Sequence, residues 1–211
     1  MLELVMFDAD GVLFDSTESN TAYYNAIFAK MGEPPMSPVE EKAGVFMSAP
    51  QVFHLRAGDD AARLERMREI ARTMDSTPFF NLLRPHPGLR ALILDIKRRC
   101  RVGLATNRSA TIPAIINYLG LSDVFDAIAS ARDKVRPKPA PDMLHLCLER
   151  AGGVAPSRAV YVGDSETDRI AAESARIPFI GVGERVDHEN LIAALGELPA
   201  ALERFFGRGP Q

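Results

Sequence analysis

Short apolar runs, each closed by turn residues, recur along the chain. Leu2 to Phe7 runs into Asp8-Ala9-Asp10-Gly11, and similar runs occupy Arg101–Ala105, Ala127–Ala129, Ala159–Val162 and Phe179–Val182. Runs of this length bounded by turns predict buried strands. Between them the apolar positions change to helical spacing. Leu89, Leu92, Ile93 and Ile96 share one face, and Ile112, Ile115, Ile116 and Leu119 share another ahead of Gly120. Pro141 opens a further helix with Leu144, Cys147 and Leu148 inward, and Gly152-Gly153 ends it. Strands alternating with such helices predict βαβ units and a parallel sheet: an α/β, Rossmann-like doubly wound core.

One segment breaks the alternation. From Ser16 to Leu83 there is no strand-like run, only helical stretches separated by Pro34-Pro35, Pro38, Pro50, Gly58-Asp59-Asp60 and Pro78. Tyr23, Tyr24, Ile27, Phe28 and Met31 make one apolar face, and Leu64, Met67, Ile70 and Ala71 another. This is more chain than a crossover needs. The expectation is an inserted all-helical cap at 16–83, entering and leaving at the carboxyl end of the sheet, with residues 1–15 plus 84–211 forming the core. The tail from Gly207 is expected to fray.

Composition narrows the class without changing the fold. At 46% hydrophobic, 25% charged and net charge −3, the chain is of ordinary globular make-up, which excludes general disorder. No apolar run approaches the ~18 residues of a membrane span, and Met1-Leu2-Glu3 lacks the basic start of a secretory signal. Cys100 and Cys147 have no metal-ligand spacing and read as thiols of a reducing, cytoplasmic compartment. No basic cluster points to nucleic acid.

The candidate chemistry lies just after the predicted strands, where open parallel sheets bind ligands. Asp8 and Asp10 close the first strand. Two carboxylates there repel unless a cation or shared proton relieves them, although turn chemistry alone also favours such residues. Gly163-Asp164-Ser165-Glu166-Thr167-Asp168 closes the fourth run, and either acid could cap a following helix. Capping does not explain why both acidic turns fall at one end of the sheet. Oxygen ligands without His or Cys suit Mg²⁺. Thr106-Asn107 follows the second strand and offers a hydroxyl and backbone N–H groups to a phosphate, or an ordinary turn. In Arg136-Pro137-Lys138-Pro139-Ala140-Pro141-Asp142, flanking prolines stiffen the backbone around Lys138, whereas Lys134 lacks them.

Taken in order, Phe7-Asp8-Ala9-Asp10-Gly11-Val12-Leu13, Thr106-Asn107, Lys138-Pro139-Ala140-Pro141-Asp142 and Gly163 to Asp168 resemble the four motifs of the haloacid dehalogenase superfamily. The 16–83 insertion resembles the helical cap of its phosphoglycolate phosphatase and β-phosphoglucomutase members. The resemblance implies that Asp8 is a nucleophile forming an aspartyl-phosphate and that Asp10 is the acid and base. It implies Mg²⁺ held by Asp8, the Asp10 carbonyl and Asp164, with Asp168 ligating or orienting. Lys138 would add a fixed positive charge beside the nucleophile and the phosphate, and Thr106, with the Asn107 amide, would hold a phosphoryl oxygen. Asp10 also separates this chain from dehalogenase members, which lack an acid there, and from phosphonoacetaldehyde hydrolases, which carry a small residue. Arg176, where a glycine is common, puts the local turn in doubt.

The implied activity is hydrolysis of a small phosphorylated metabolite such as phosphoglycolate or a sugar phosphate. A phosphomutase would need the same motifs, and a non-catalytic binding domain would have no need for Asp8 and Asp10 together. The cap segment holds seven basic and nine acidic residues, so no basic surface recruits a polyanion. Its polar candidates are Glu18, Ser48, Gln51, His54 and, best suited to a second anionic group on the substrate, Arg56. His86, His145 and His188 fall outside every motif.

Overall fold

The computed structural model describes residues 1–44, 47–108 and 111–207. They divide into two compact units, the described residues of Met1–Asp15 with Pro85–Gln211 and those of Ser16–Arg84. The tail beyond Gly207 lies outside the described residues.

In the first unit, six strands form one sheet. They are β1 (Leu4–Phe7), β2 (Arg101–Thr106), β3 (Ala127–Ser130), β4 (Ala159–Gly163), β5 (Phe179–Val182) and β6 (Leu191–Ile192). Their order is β3-β2-β1-β4-β5-β6, with every neighbouring pair parallel. The strand order therefore reverses between β1 and β4, which opens a crevice beyond their carboxyl ends. Phe7 is level with Leu104 of β2 and with Val162 of β4. That register brings the residues following all three strands to one end of the sheet. β6 was not anticipated from the sequence: two residues are too few to show a period, and it exists through pairing with Gly181 and Val182.

Leu4, Met6 and Tyr161 on one face of the sheet are buried with Leu144, Cys147, Leu148, Ala171 and Ala172 of helices Asp142–Arg150 and Glu166–Ala175. The alternate residues Val5 and Phe7 are also fully buried, so β1 is covered on both faces, as parallel strands require. Helix Leu89–Lys97 packs on β2 and buries Leu89, Ile93 and Ile96. Cys147 is buried in the core and Cys100 is half-buried. Burial pushes the Cys147 thiol up to about 12 and that of Cys100 to about 11, so neither is a ready nucleophile.

The second unit contains helices Thr17–Lys30, Pro38–Gly44, Ala49–Ala57 and Ala61–Thr73, followed by a 3₁₀ segment at Thr77–Leu82. Tyr24, Ile27, Phe28, Val52, Phe53 and Met67 form its core, with Tyr23, Met31, Leu64, Ile70 and Ala71 packed against them. Local chemistry fixes the helix starts. Ser48 and Gln51 make a capping box, and the Asp60 carboxylate accepts from the Arg63 N–H at 2.9 Å. No helix among the described residues is long and apolar enough to cross a membrane.

Helix Glu166–Ala175 ends at Arg176, which takes the left-handed conformation at φ 58° that glycine adopts without steric cost. Arg176→Gly is expected to relieve about 1 kcal/mol of backbone strain. Thermal unfolding should shift upward by about 2–4 °C, and a lowered Tm would show that the arginine side chain supplies more than its backbone costs.

Candidate functional site

The ends of β1, β2 and β4 bring together residues far apart in the chain. Asp8 continues β1, its N–H donating to the Val162 carbonyl at 2.9 Å. Thr106 is the buried last residue of β2, and Asp164 follows Gly163 at the end of β4. Asp168 sits in the first turn of the next helix, whose N-cap is Ser165. One carboxylate oxygen from each of Asp8, Asp164 and Asp168 lies within 4.8 Å of the others, and all three residues are buried. Side chains at two glycines would fill this space. A Cβ on Gly11, at φ 73°, would fall 1.9 Å from Asp164 Oδ2, and one on Gly163 would fall 2.4 Å from Asp168 Cβ.

Lys138 enters this acidic cluster from the proline-flanked loop and is only 5% exposed. Its Nζ lies 2.8 Å from Asp8 Oδ1, 2.6 Å from Asp168 Oδ1 and 2.7 Å from Tyr161 Oη. Lys134, which lacks the flanking prolines, is exposed. Asn107 secures the loop from the neighbouring strand end: its Oδ1 accepts from the Lys138 N–H at 2.9 Å and its Nδ2 donates to the Lys138 carbonyl at 3.1 Å. The Asn107 side chain is therefore occupied with the lysine backbone rather than presented to a ligand. The Lys138–Pro139 peptide is cis.

Burial and like charge shape the ionisation of the cluster. Burial, reinforced by the Asp168 and Asp10 carboxylates and opposed by Lys138, raises Asp8 to about 7. Burial and Asp168 likewise raise Asp164 to about 6, against Arg185 and Lys138. Burial alone would discharge the Lys138 ammonium, but Asp168 and Asp8 outweigh it and move its titration upward. Lys138 is therefore a fixed positive charge.

The donor set fits a hard divalent cation. It consists of carboxylate oxygens only, and Asp8 Oδ1 is buried with an ammonium contact but no aligned hydrogen bond. The four predicted metal residues do not contribute equally. Asp168 Oδ1 accepts from Lys138, and its Oδ2 accepts from the Ser165 hydroxyl at 2.5 Å and the Ser165 N–H at 3.2 Å. Both oxygens have donors, which suits Asp168 to orienting rather than ligating; it also serves as the helix-capping acid. The Asp10 side chain stands outside the trio. Arg108 grips it in a two-pronged pair, Nε to Oδ2 at 2.6 Å and Nη2 to Oδ1 at 2.7 Å. Arg185 reaches Asp164 Oδ2 at 3.1 Å.

Arg56 departs from expectation. Its guanidinium donates to Glu33 at 3.1 Å, to both oxygens of Glu40 at 2.8 Å and to the Pro34 carbonyl, and stacks 4.3 Å from the Phe28 ring. All three guanidinium nitrogens are committed inside the helical unit, so the anion-binding role assigned from sequence gives way to a structural one. Among the other expected contacts, Glu18 pairs with Arg84 at 2.8 Å, Ser48 and Gln51 cap a helix, and His54 is exposed. His188 packs edge-on against Phe179, His86 bonds its own turn and His145 is exposed.

Sequence reasoning passed over Arg108, Tyr161 and Arg185. Arg108 carried a usable signal, since it directly follows Thr106-Asn107. Hydrophobic periodicity makes Tyr161 one more apolar residue of β4, and Arg185 lies in a loop without pattern.

A family model described as haloacid dehalogenase-like hydrolase matches residues 2–176. A phosphoglycolate phosphatase from Cereibacter sphaeroides is 30% identical over 203 residues, covering 92% of this chain and 89% of its own. A HAD-superfamily hydrolase of subfamily IA from Geobacter sulfurreducens has a similar structure, with a TM-score of 0.80 at 28% identity over 95% of this chain and 96% of that one. A mutant of CbbY from Rhodobacter sphaeroides, solved in complex with xylulose-1,5-bisphosphate, gives 0.77 at 25% identity over 96% of this chain and 99% of that one.

Removing Lys138 should expose the cost of the cluster. In metal-free protein, Lys138→Met is expected to lower unfolding stability by about 3 kcal/mol, the range for breaking a buried ion pair. Asp8 titrates higher folded than unfolded, so its ionisation costs stability as pH rises from 3.8 through about 7. Lys138 holds Asp8 down, so its removal raises that titration further, and the loss should be greater at about pH 8.5 than at about pH 5.5 in denaturant titrations. A pH-independent loss would refute the charge argument.

Proposed function

We propose that this chain, which belongs to the haloacid dehalogenase-like hydrolase family, is a Mg²⁺-dependent phosphatase acting on a small phosphorylated metabolite through an aspartyl-phosphate. The observation that carries this reading is the buried Asp8–Lys138–Asp168 array beside Asp164 at the switch point of the sheet. A carboxylate approaching a phosphate meets like charge, about 4 kcal/mol for a unit pair at ~4 Å and an effective dielectric near ~20. A preset ammonium at the nucleophile offsets that repulsion without reorganising during the reaction.

In this mechanism an Asp8 carboxylate oxygen attacks phosphorus as the bond to the ester oxygen breaks, and Asp10, released from its Arg108 pair and protonated, gives the departing oxygen its proton. Water then attacks the same phosphorus, Asp10 takes its proton, and the Asp8–phosphorus bond breaks to release phosphate. Lys138, the Thr106 hydroxyl and the Asn107 backbone N–H hold phosphoryl oxygens. Asp8, Asp164 and the Asp10 carbonyl, with Asp168 orienting, would hold Mg²⁺, which supplies charge stabilisation to the phosphoryl group. In capped members of the family a helical insertion of this kind limits substrate size and water access. Among substrates, phosphoglycolate is favoured by the similar Cereibacter sphaeroides enzyme and a sugar phosphate by the CbbY complex.

A screen of phosphorylated metabolites ranked by kcat/KM tests the substrate. With a sugar 1-phosphate, formation of an isomer without stoichiometric phosphate would instead identify a mutase. Asp8→Asn should lower kcat by at least about 10³-fold, and near-normal turnover in that variant would sink the mechanism. A chelator should stop hydrolysis of an aryl phosphate. Mg²⁺ should raise the Tm of the apoprotein more at about pH 8 than at about pH 5.5, because protons on Asp8 and Asp164 compete with the ion. Undiminished activity in chelator would remove the metal from the scheme.

A further inference from the structure

Tyr161 places a hydroxyl where the core needs only a ring. It is wholly buried in the cluster that holds Leu4, Met6 and Met143, beside Phe179, a site a phenylalanine would fill equally well. Its Oη lies 2.7 Å from Lys138 Nζ, 2.9 Å from the Ala105 carbonyl and 3.1 Å from Asp168 Oδ1. Burial and the Asp168 and Asp8 carboxylates hold the phenol well above its usual range, so it keeps its proton. That one proton serves the Ala105 carbonyl or Asp168, while an oxygen lone pair accepts from Lys138. The Lys138 ammonium thereby donates to Asp168 and Tyr161 and keeps the Asp8 carboxylate as an ion-pair partner at 2.8 Å. Ala105 immediately precedes Thr106 on β2.

We propose that Tyr161 is a positioning residue, its hydroxyl tying the Lys138 ammonium to the strand that presents Thr106, so that the two groups meet the phosphoryl oxygens in a fixed spacing. The kinetic consequence rests on the phosphatase reading above; the positioning itself does not. Tyr161→Phe retains the ring and removes only the tie. With an aryl phosphate as substrate, kcat should fall about tenfold while KM stays within about twofold, because the loss falls on transition-state alignment. In a Lys138→Met background the same change should cost nothing further, since the hydroxyl acts through the lysine. Losses that multiply, or an unchanged kcat, would overturn the proposal.

A second measurement needs no turnover. In ¹⁵N-lysine-labelled apoprotein, the Lys138 ammonium, identified by its disappearance in Lys138→Arg, should give a slowly exchanging signal that Tyr161→Phe broadens or removes. Absence of that signal in the wild-type protein, or its persistence in the variant, would overturn the positioning role. An inactive wild type with a tyrosine-dependent signal would instead refute the phosphatase reading and leave the positioning role standing.

Discussion

The site depends on a single ammonium. Lys138 lies within 2.8 Å of one carboxylate and 2.6 Å of another in a pocket that excludes most water. Without it, Asp8 and Asp168 would face each other across low dielectric and could not both ionise. With it, the crevice holds concentrated negative charge and still folds. The Asn107 side chain, the flanking prolines and the Tyr161 hydroxyl all restrain this one group, from its backbone or from its tip.

The sheet supplies the rigid frame for that balance. β1, β2 and β4 are adjacent, parallel and in register, so the residues that follow them emerge at one level. Side chains mounted on strand ends lose little further freedom when a ligand arrives, which is the basis of preorganised electrostatics. Asp168 shows how economically the frame is used. One oxygen belongs to the capping box of the helix and the other to the lysine, so helix start and charge array are fixed by the same residue.

Much of this was legible in the sequence, for local reasons. Apolar runs gave β1 to β5, and the turns that closed them contained Asp8, Thr106 and Asp164. The strand ends moved by a residue or two: Thr106 and Ser130 joined β2 and β3 because they pair with each other. Arg56 went astray because an arginine on a polar helix face looks the same whether it awaits a substrate or is held by Glu33 and Glu40. Tyr161 was invisible because hydrophobic periodicity registers the ring and ignores the hydroxyl.

The sequence by itself determined the alternation of strand and helix, the helical insertion, the order of the acidic turns and the family. The elements follow from spacing within a few residues, where backbone geometry alone decides which side chains share a face, and the family follows from the resemblance of four motifs in order. Only the tertiary structure decided which charge meets which. It gave Lys138 to Asp168 as well as to the expected Asp8, Arg108 to Asp10, Arg185 to Asp164 and Asn107 to the lysine backbone. Those pairings join residues on different strands and loops. Their strength depends on burial and ångström-scale distance, and neither exists until the sheet has assembled.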